Sequence, residues 1–537
     1  MKKFLTCFVI LSLLLSGCSF SAPKMEGTQI HLADSSITVD GQPITSDITQ
    51  GVYAANDIVF YLADQGFTYG AGSKSDEHTQ IEADAHTVIH ITQPGRYVLS
   101  GELSLGQIAV DLGEDAEDDP EAVVTLILNG VDITCTVAPA VIFYNVYECG
   151  SSDEESATKD VDTSKAGANV IIADGTENNV CGSYVAKIYK SYELSEDGTE
   201  VIDSKKLHKY DGAFYSKKSM NISGEAEGTG ILNIRADNEG LDSELHLTIN
   251  GGIINITSGN DGINTNEDNV SVTTINGGTL NILCDGSTGE GDGIDSNGWL
   301  VINGGTVTAQ ACATSGDAGI DSDMGIYING GTVTASGNML DHIAGGGQTY
   351  AVFSFASSHP GDVAYTLRNA AGKTVGDYAP TNAFTYLIIA DDHLIPGEYT
   401  FWQNDIQLAA SSAGNMQGWM PQGGRPDFPN GGQSSEGGMP PESANGATWT
   451  EQPNGNPPQK PAGAIPPGDK PEMPDSQIPQ GNPPEMPTGE APQTPEGMTP
   501  PNGGMMGGNM MPTGELSTTF TIVKGGNQFT NVTPMTP

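Results

Sequence analysis

The chain of 537 residues carries 67 Asp and Glu against 21 Lys and Arg, a formal charge of −46. Such a field repels nucleic acid and anionic membrane surfaces and attracts cations. Only 16% of residues are charged and 70 are glycine, so the acidity belongs to a structured, glycine-rich framework rather than to a disordered acidic tail.

Residues 1–18 read as a lipoprotein signal. Lys2 and Lys3 precede an apolar core, Phe8 to Leu15, that is too short to span a bilayer and ends in Leu15-Ser16-Gly17-Cys18. The expectation is an exported bacterial protein, held by lipid at Cys18 on the extracellular face of the cell membrane. Cys7 leaves with the signal. Cys135, Cys149, Cys181, Cys284 and Cys312 are odd in number and irregular in spacing, which gives neither a disulfide framework nor a CxxC metal motif. They read as buried small hydrophobes, with room for one or two disulfides. Residues 19–85 read as a linker and an irregular β segment.

Residues 86–347 carry the architecture. The tetrad Ile-Asn-Gly-Gly recurs with its asparagine at Asn250, Asn276, Asn303 and Asn329, in steps of 26, 27 and 26 residues. A second motif lies between these copies, centred on Gly240-Leu241-Asp242, Gly262-Ile263-Asn264, Gly293-Ile294-Asp295 and Gly319-Ile320-Asp321, with worn copies near Asp211 and Asp341. Apolar and polar residues alternate along short segments broken by glycine, and helical periodicity is absent. Short strands stacked repeat on repeat predict an all-β parallel β-helix, with regular coils over 211–345 and an insertion over about 150–210. Leu241, Ile263, Ile294 and Ile320 are expected to point inward, with Leu280, Ile282, Val307, Ala309, Val333 and Ala335 in other inward columns.

Residues 348–411 contain strand-like runs and are expected to cap the last coil, because an open end would expose an unpaired edge. Residues 412–514 turn to Pro, Gly, Asn, Gln and Met, a composition that cannot bury a core and predicts a disordered insertion. Residues 515–537 read as a returning strand and the C-terminus.

The outward positions of the repeat form acidic columns. One holds Asp242, Asn264, Asp295, Asp321 and Asp341. A second, two residues on and facing the same way, holds Glu244, Asn266, Asn297 and Asp323. Near the turn lie Glu239, Asp261 and Asp292. Between Asp237 and Asp341 there are fifteen Asp and Glu and no Lys or Arg. Stacked about 4.8 Å apart, like charges destabilise a sheet unless they are neutralised. Calcium takes 6 to 8 oxygen ligands at about 2.3–2.6 Å and can bridge two coils, so these twelve residues are the candidate ligands of bound Ca2+. Single Asp and Asn residues also serve turns, but turn duty does not explain a whole acidic face.

The chain resembles the bacterial carbohydrate-binding domain-containing family, which includes clostridial cellulose- and pectin-binding surface proteins with a pectate-lyase-like fold. The resemblance runs over most of 86–410. It is carried by Ile91 to Gly101, Gly106 to Asp111, Leu126 to Ile133, Asp174 to Asn178, Tyr215 to Gly224 and the two repeats. It implies a right-handed parallel β-helix with bound calcium and affinity for cellulose or an acidic pectic sugar.

A lyase of this fold needs a Lys or Arg base beside calcium. Lys217, Lys218 and Arg235 lie just before the acidic region and none lies within it. The residue runs that accompany a polygalacturonase-type hydrolase are missing. Trp299 and Tyr327 are the aromatics placed to stack on sugar rings. The reading is a non-catalytic, calcium-stabilised polysaccharide binder that recognises cellulose or polygalacturonate. A calcium-dependent pectate lyase and a surface scaffold without sugar affinity are the alternatives.

Overall fold

The computed structural model describes residues 25–415 and 515–534. The chain divides into two units, Met1–Arg425 with Met511–Pro537, and Pro426–Met510. The second unit lies outside the described residues, as do the signal, Cys18 and nearly all of the expected insertion over 412–514. The described chain is nearly all β, with one short α-helix, Gln80–Asp84, and two 3-10 turns.

Three ladders of strands carry the body. The first runs through Val52–Ala55, Thr87–Ile91, Gly106–Val110, Val141–Phe143, Gly212–Ser216, Glu239–Ser243, Ile263–Thr265 and Ile294–Ser296, and every pairing after the first is parallel. The second leads from Ala168–Ile172 through Met220–Gly224, Leu247–Ile249, Val272–Ile275 and Trp299–Ile302 to Gly325–Ile328, in parallel throughout. The third leads from Glu177–Gly182 through Ile231–Ala236, Ile253–Ser258, Thr279–Cys284 and Thr306–Gln310 to Thr332–Gly337, again in parallel. Successive repeats supply successive rungs, so like residues stand over like.

The core follows from that register. Leu241, Ile263, Ile294 and Ile320 are fully buried, and Leu280, Ile282, Val307, Ala309, Val333 and Ala335 line the opposite wall. Each large apolar side chain contributes about 1.5–3 kcal/mol of burial. An inward hydroxyl column accompanies them at the corners. Ser243 Oγ donates to the Lys218 carbonyl at 3.1 Å, Ser296 Oγ to that of Trp299 at 3.0 Å and Ser322 Oγ to that of Gly298 at 2.8 Å. These hydroxyls give corner carbonyls a side-chain donor, which at Gly298 adds to the Met324 N–H at 2.8 Å.

The stretch 150–210, expected as one inserted block, is divided. Ala168–Ile172 and Glu177–Gly182 are ladder strands in register with Val124–Thr134. What departs from the ladders is the loop before them and an antiparallel hairpin, Val185–Leu194 with Val201–Tyr210, that forms its own two-stranded sheet. The strands of 168–182 escape a repeat search because they lack both the Asn-Gly-Gly and the Gly-Ile signatures. The five described cysteines outside the signal are free thiols, with Cys135, Cys284 and Cys312 buried.

Beyond residue 348 the pairing turns largely antiparallel. Phe384–Ala390 pairs with Thr332–Gly337, the last strand of the third ladder, and covers its edge. Phe520–Ile522 and Gly526–Pro534 return to pair with Gly397–Gln403, Tyr350–His359 and Ile406–Asn415. This module has a separate aromatic core, in which Phe353 stacks on Phe401 at 4.1 Å and on Phe529 at 5.2 Å.

Glycine in the Gly-Ile motif is fixed by close approach. A Cβ on Gly262 would lie 2.1 Å from Ile282 Cγ2 and 2.6 Å from the Gly293 carbonyl oxygen of the next rung. Gly262→Ala is therefore expected to cost about 1–3 kcal/mol in urea denaturation. Gly316→Ala, whose Cβ meets nothing within 4 Å, is expected to be near neutral; equal losses in both would contradict this packing account.

Candidate metal and carbohydrate site

The acidic face is the outward side of the first ladder. Glycine brings adjacent rungs together, the next residue points inward, and the one after it faces out. In register, Tyr215, Asp242, Asn264 and Asp295 stack directly, and Asp321 continues the column through its backbone N–H to the Ile294 carbonyl at 2.7 Å. Nearer the turn stand Glu239, Asp261 and Asp292. This face is not open surface: Asp242 is fully buried, Glu239 is 4% exposed, and Asp211, Asp261, Asn264, Asp292 and Asp321 are each 8% exposed.

Two groups of three carboxylates have ligand atoms within 4.8 Å of one another: Asp211, Glu239 and Asp242, and Asp292, Asp295 and Asp321. That span is what one ion with oxygen bonds of about 2.4 Å would bridge. Part of the charge is met by neighbouring backbone: Asp261 Oδ1 accepts from the Asp292 N–H at 2.7 Å, and Asp292 Oδ1 from the Ala318 N–H at 2.5 Å. Asn266 Nδ2 donates to Asp242 Oδ1 at 2.6 Å, and Asn264 Nδ2 to Glu239 Oε1 at 3.1 Å. Two acceptors remain unserved, since Glu239 Oε2 and Asn264 Oδ1 are buried and receive no hydrogen bond. An oxygen-only donor set with orphaned acceptors fits a hard divalent cation.

The twelve expected ligands do not act alike. Glu239 and Asp242 join Asp211, which the sequence reading noticed only as a worn repeat. Asp292, Asp295 and Asp321 meet each other. Glu244 turns away to accept from Tyr215 Oη at 2.8 Å and from Lys206 Nζ at 3.0 Å. Asn297 binds the Asn266 carbonyl at 3.0 Å and Asp268 at 3.1 Å, Asp323 is exposed, and Asp341 accepts from the Ser322 N–H at 3.1 Å. The sequence reading missed Lys206 and Lys209, which the hairpin delivers onto this face. Lys209 Nζ stands 3.1 Å from Asp211 Oδ2. No repeat signal could have placed them.

Burial, reinforced by the Asp211 charge, pushes the Glu239 carboxyl up to about 8. Burial likewise holds Asp242, Asp261 and Asp292 well above the usual carboxylate range, with their acidic neighbours adding to it. The Asp211 carboxylate holds the Lys209 ammonium above its ordinary value.

Trp299 and Tyr327 lie elsewhere, half-buried on the second ladder. Trp299 pairs with Gly325 and Tyr327 with Val301, so the two share a face two positions apart in register. The Lys159 ammonium sits 5.3 Å from the Tyr327 ring centroid. Trp299 and Tyr327, expected to stack on sugar rings, and the acidic residues therefore belong to different faces.

A fold of stacked parallel rungs with a buried acidic column is the context in which the comparisons fall. Residues 85–343 match the family described as carbohydrate-binding domain-containing protein. A solved structure, the polysaccharide lyase-like protein from C. thermocellum in a gadolinium derivative, is similar at 19% identity and a TM-score of 0.31, covering 60% of this chain and 99% of that one. No curated protein matches the chain.

A pH dependence follows from these raised carboxyls. Glu239 binds its proton more tightly folded than unfolded, so its contribution to stability is complete below about 4.5 and is lost as pH rises through about 8. Asp242, Asp261 and Asp292 act in the same direction. Protein held in chelator is expected to melt at progressively lower temperature across that window, and a melting temperature that rises with pH would contradict this.

Proposed function

We propose that the chain is a calcium-stabilised, right-handed parallel β-helix that binds polysaccharide without acting on it, held at the bacterial cell surface by lipid at Cys18. The family match over residues 85–343 supports the sugar-related role. The observation that carries the metal reading is the pair of orphaned buried oxygens, Glu239 Oε2 and Asn264 Oδ1, within a face of buried carboxylates.

The two carboxylate groups divide the work. Asp211, Glu239 and Asp242 are buried, have a tethered cation in Lys209, and hold the coils together. Asp292, Asp295 and Asp321 are more accessible at Asp295, so an ion there can share its outer positions with a uronate carboxylate. Calcium would thus join an acidic polysaccharide to a protein whose own charge repels it.

The lyase alternative gains one observation, the arrival of Lys206 and Lys209 beside the acids. Both ammonium groups are spent on carboxylates, Lys206 on Glu244 and Lys209 on Asp211, which makes them counter-ions rather than bases.

The test is retention of the lipid-free chain on immobilised polygalacturonate with calcium or with chelator, monitored for unsaturated sugar products. Calcium-dependent retention without product is expected; product formation would establish the lyase, and no retention would leave a scaffold. Calcium at a hundredfold excess over Kd should add about 2.7 kcal/mol of stability per ion. Asp295→Asn with Asp321→Asn should weaken calcium binding by at least about tenfold in titration calorimetry.

A further inference from the structure

A cleft of about 410 Å³ lies on the second ladder, away from the acidic face, beneath the segment 159–164. That segment is tied down at one end. Buried Thr163 donates through Oγ1 to Asn221 Oδ1 at 2.8 Å, meets Thr248 Oγ1 at 2.6 Å, and accepts at its carbonyl from Asn221 Nδ2 at 2.7 Å. Its other end places Lys159 beside Tyr327. In register, Asn221, Thr248, Thr274, Val301 and Tyr327 are successive rungs, so the segment bridges five rungs with Thr274 and Val301 beneath its middle.

One wall of the cleft is a row of exposed side chains, Asn250, Asn276, Asn303 and Asn329. Each amide after the first donates to the one before it, at 2.9, 2.9 and 2.8 Å. A primary amide has two N–H donors and a carbonyl with two lone pairs. The row therefore keeps donors and acceptors in hand at every rung, repeating about every 4.8 Å. A straight row of evenly spaced polar groups is complementary to a straight polymer of hydroxyl groups, whose sugar units are of similar length.

The lining selects against charge. Lys159 is paired with Asp160 at 2.6 Å, and Asp162 adds a negative charge, so nothing in the cleft attracts a polyanion. A peptide is a poor fit as well, since the lining is mainly amide and hydroxyl and the ladder has no free edge here for strand addition.

We propose that this cleft binds a stretch of uncharged, extended polysaccharide, independently of calcium and of the acidic face. The proposal rests on the polysaccharide-binding reading but assigns a separate site and a separate sugar class. Thr163 and Asn221 hold the segment in place, and the asparagine row supplies hydrogen bonds along the sugar chain.

Cellohexaose is the probe, titrated by calorimetry into the lipid-free chain in chelator, alongside retention on polygalacturonate in calcium. Two variants are compared, Asn276→Ala with Asn303→Ala, which removes the middle of the row, and Thr274→Trp, which fills the floor. Melting temperature checks their folding. The expected result is cellohexaose binding in chelator, weakened about tenfold or more in each variant, the loss expected for one or two hydrogen bonds, with polygalacturonate retention unchanged. Binding that both variants leave intact overturns the proposal, because the sugar then sits elsewhere. No cellohexaose binding by the parent chain also overturns it. Calcium-dependent retention on polygalacturonate would in that case leave the acidic-face reading standing, and its absence would remove both.

Discussion

Parallel backbone hydrogen bonding between successive repeats sets each residue over its equivalent one coil away, at about 4.8 Å. Everything else in the body is the consequence of stacking like on like. For Leu241, Ile263, Ile294 and Ile320 the result is a continuous apolar column with no exposed surface. For asparagine it is self-complementary, since the amide of Asn276 bonds to that of Asn250 and the amide of Asn255 to that of Asn233. For aspartate it is repulsive, at about 3–4 kcal/mol per adjacent charged pair for an effective dielectric near 20.

The acidic column is thus a part of the stack that works against the fold, and the structure meets it in two ways. Backbone N–H groups of the next rung solvate Asp261 and Asp292. The hairpin brings Lys206 and Lys209, two covalently attached cations, to Glu244 and Asp211. Neither device reaches Glu239 Oε2 or Asn264 Oδ1. What is left is a pair of buried, unserved oxygens, for which protons and the proposed calcium would compete.

The repeat made most of this legible. The inward columns and the outward carboxylates follow from period-two alternation anchored on Gly-Ile, because periodic contacts are local in the repeat even when distant in sequence. Contacts that occur only once were invisible. Nothing in Val201–Tyr210 announces that Lys206 lies over Glu244, 38 residues away. Asp211 looked like a decayed copy because Phe214, not Ile or Leu, holds the inward position of its rung. Trp299 and Tyr327 were correctly placed near one another, but the Lys159 ammonium beside Tyr327 comes from a loop with no repeat character. The serine of the Asp-Ser pairs was read past entirely, although its hydroxyl is what closes the corner.

Periodicity also bears on the choice between binding and catalysis. A translationally repeated face offers the same contacts at every rung, which suits a polymer that can engage many equivalent positions. Catalysis needs a singular arrangement whose contacts strengthen only in the transition state. On the acidic face the singular elements are those the hairpin supplies, and its lysines are held by carboxylates of the same face. Along the second ladder the singular element is the 159–164 segment, which adds a wall and a tether, its Lys159 held by Asp160. The non-repeating parts of the body therefore shape and neutralise the repeating ones, and that division of labour is the physical ground for reading the molecule as a binder.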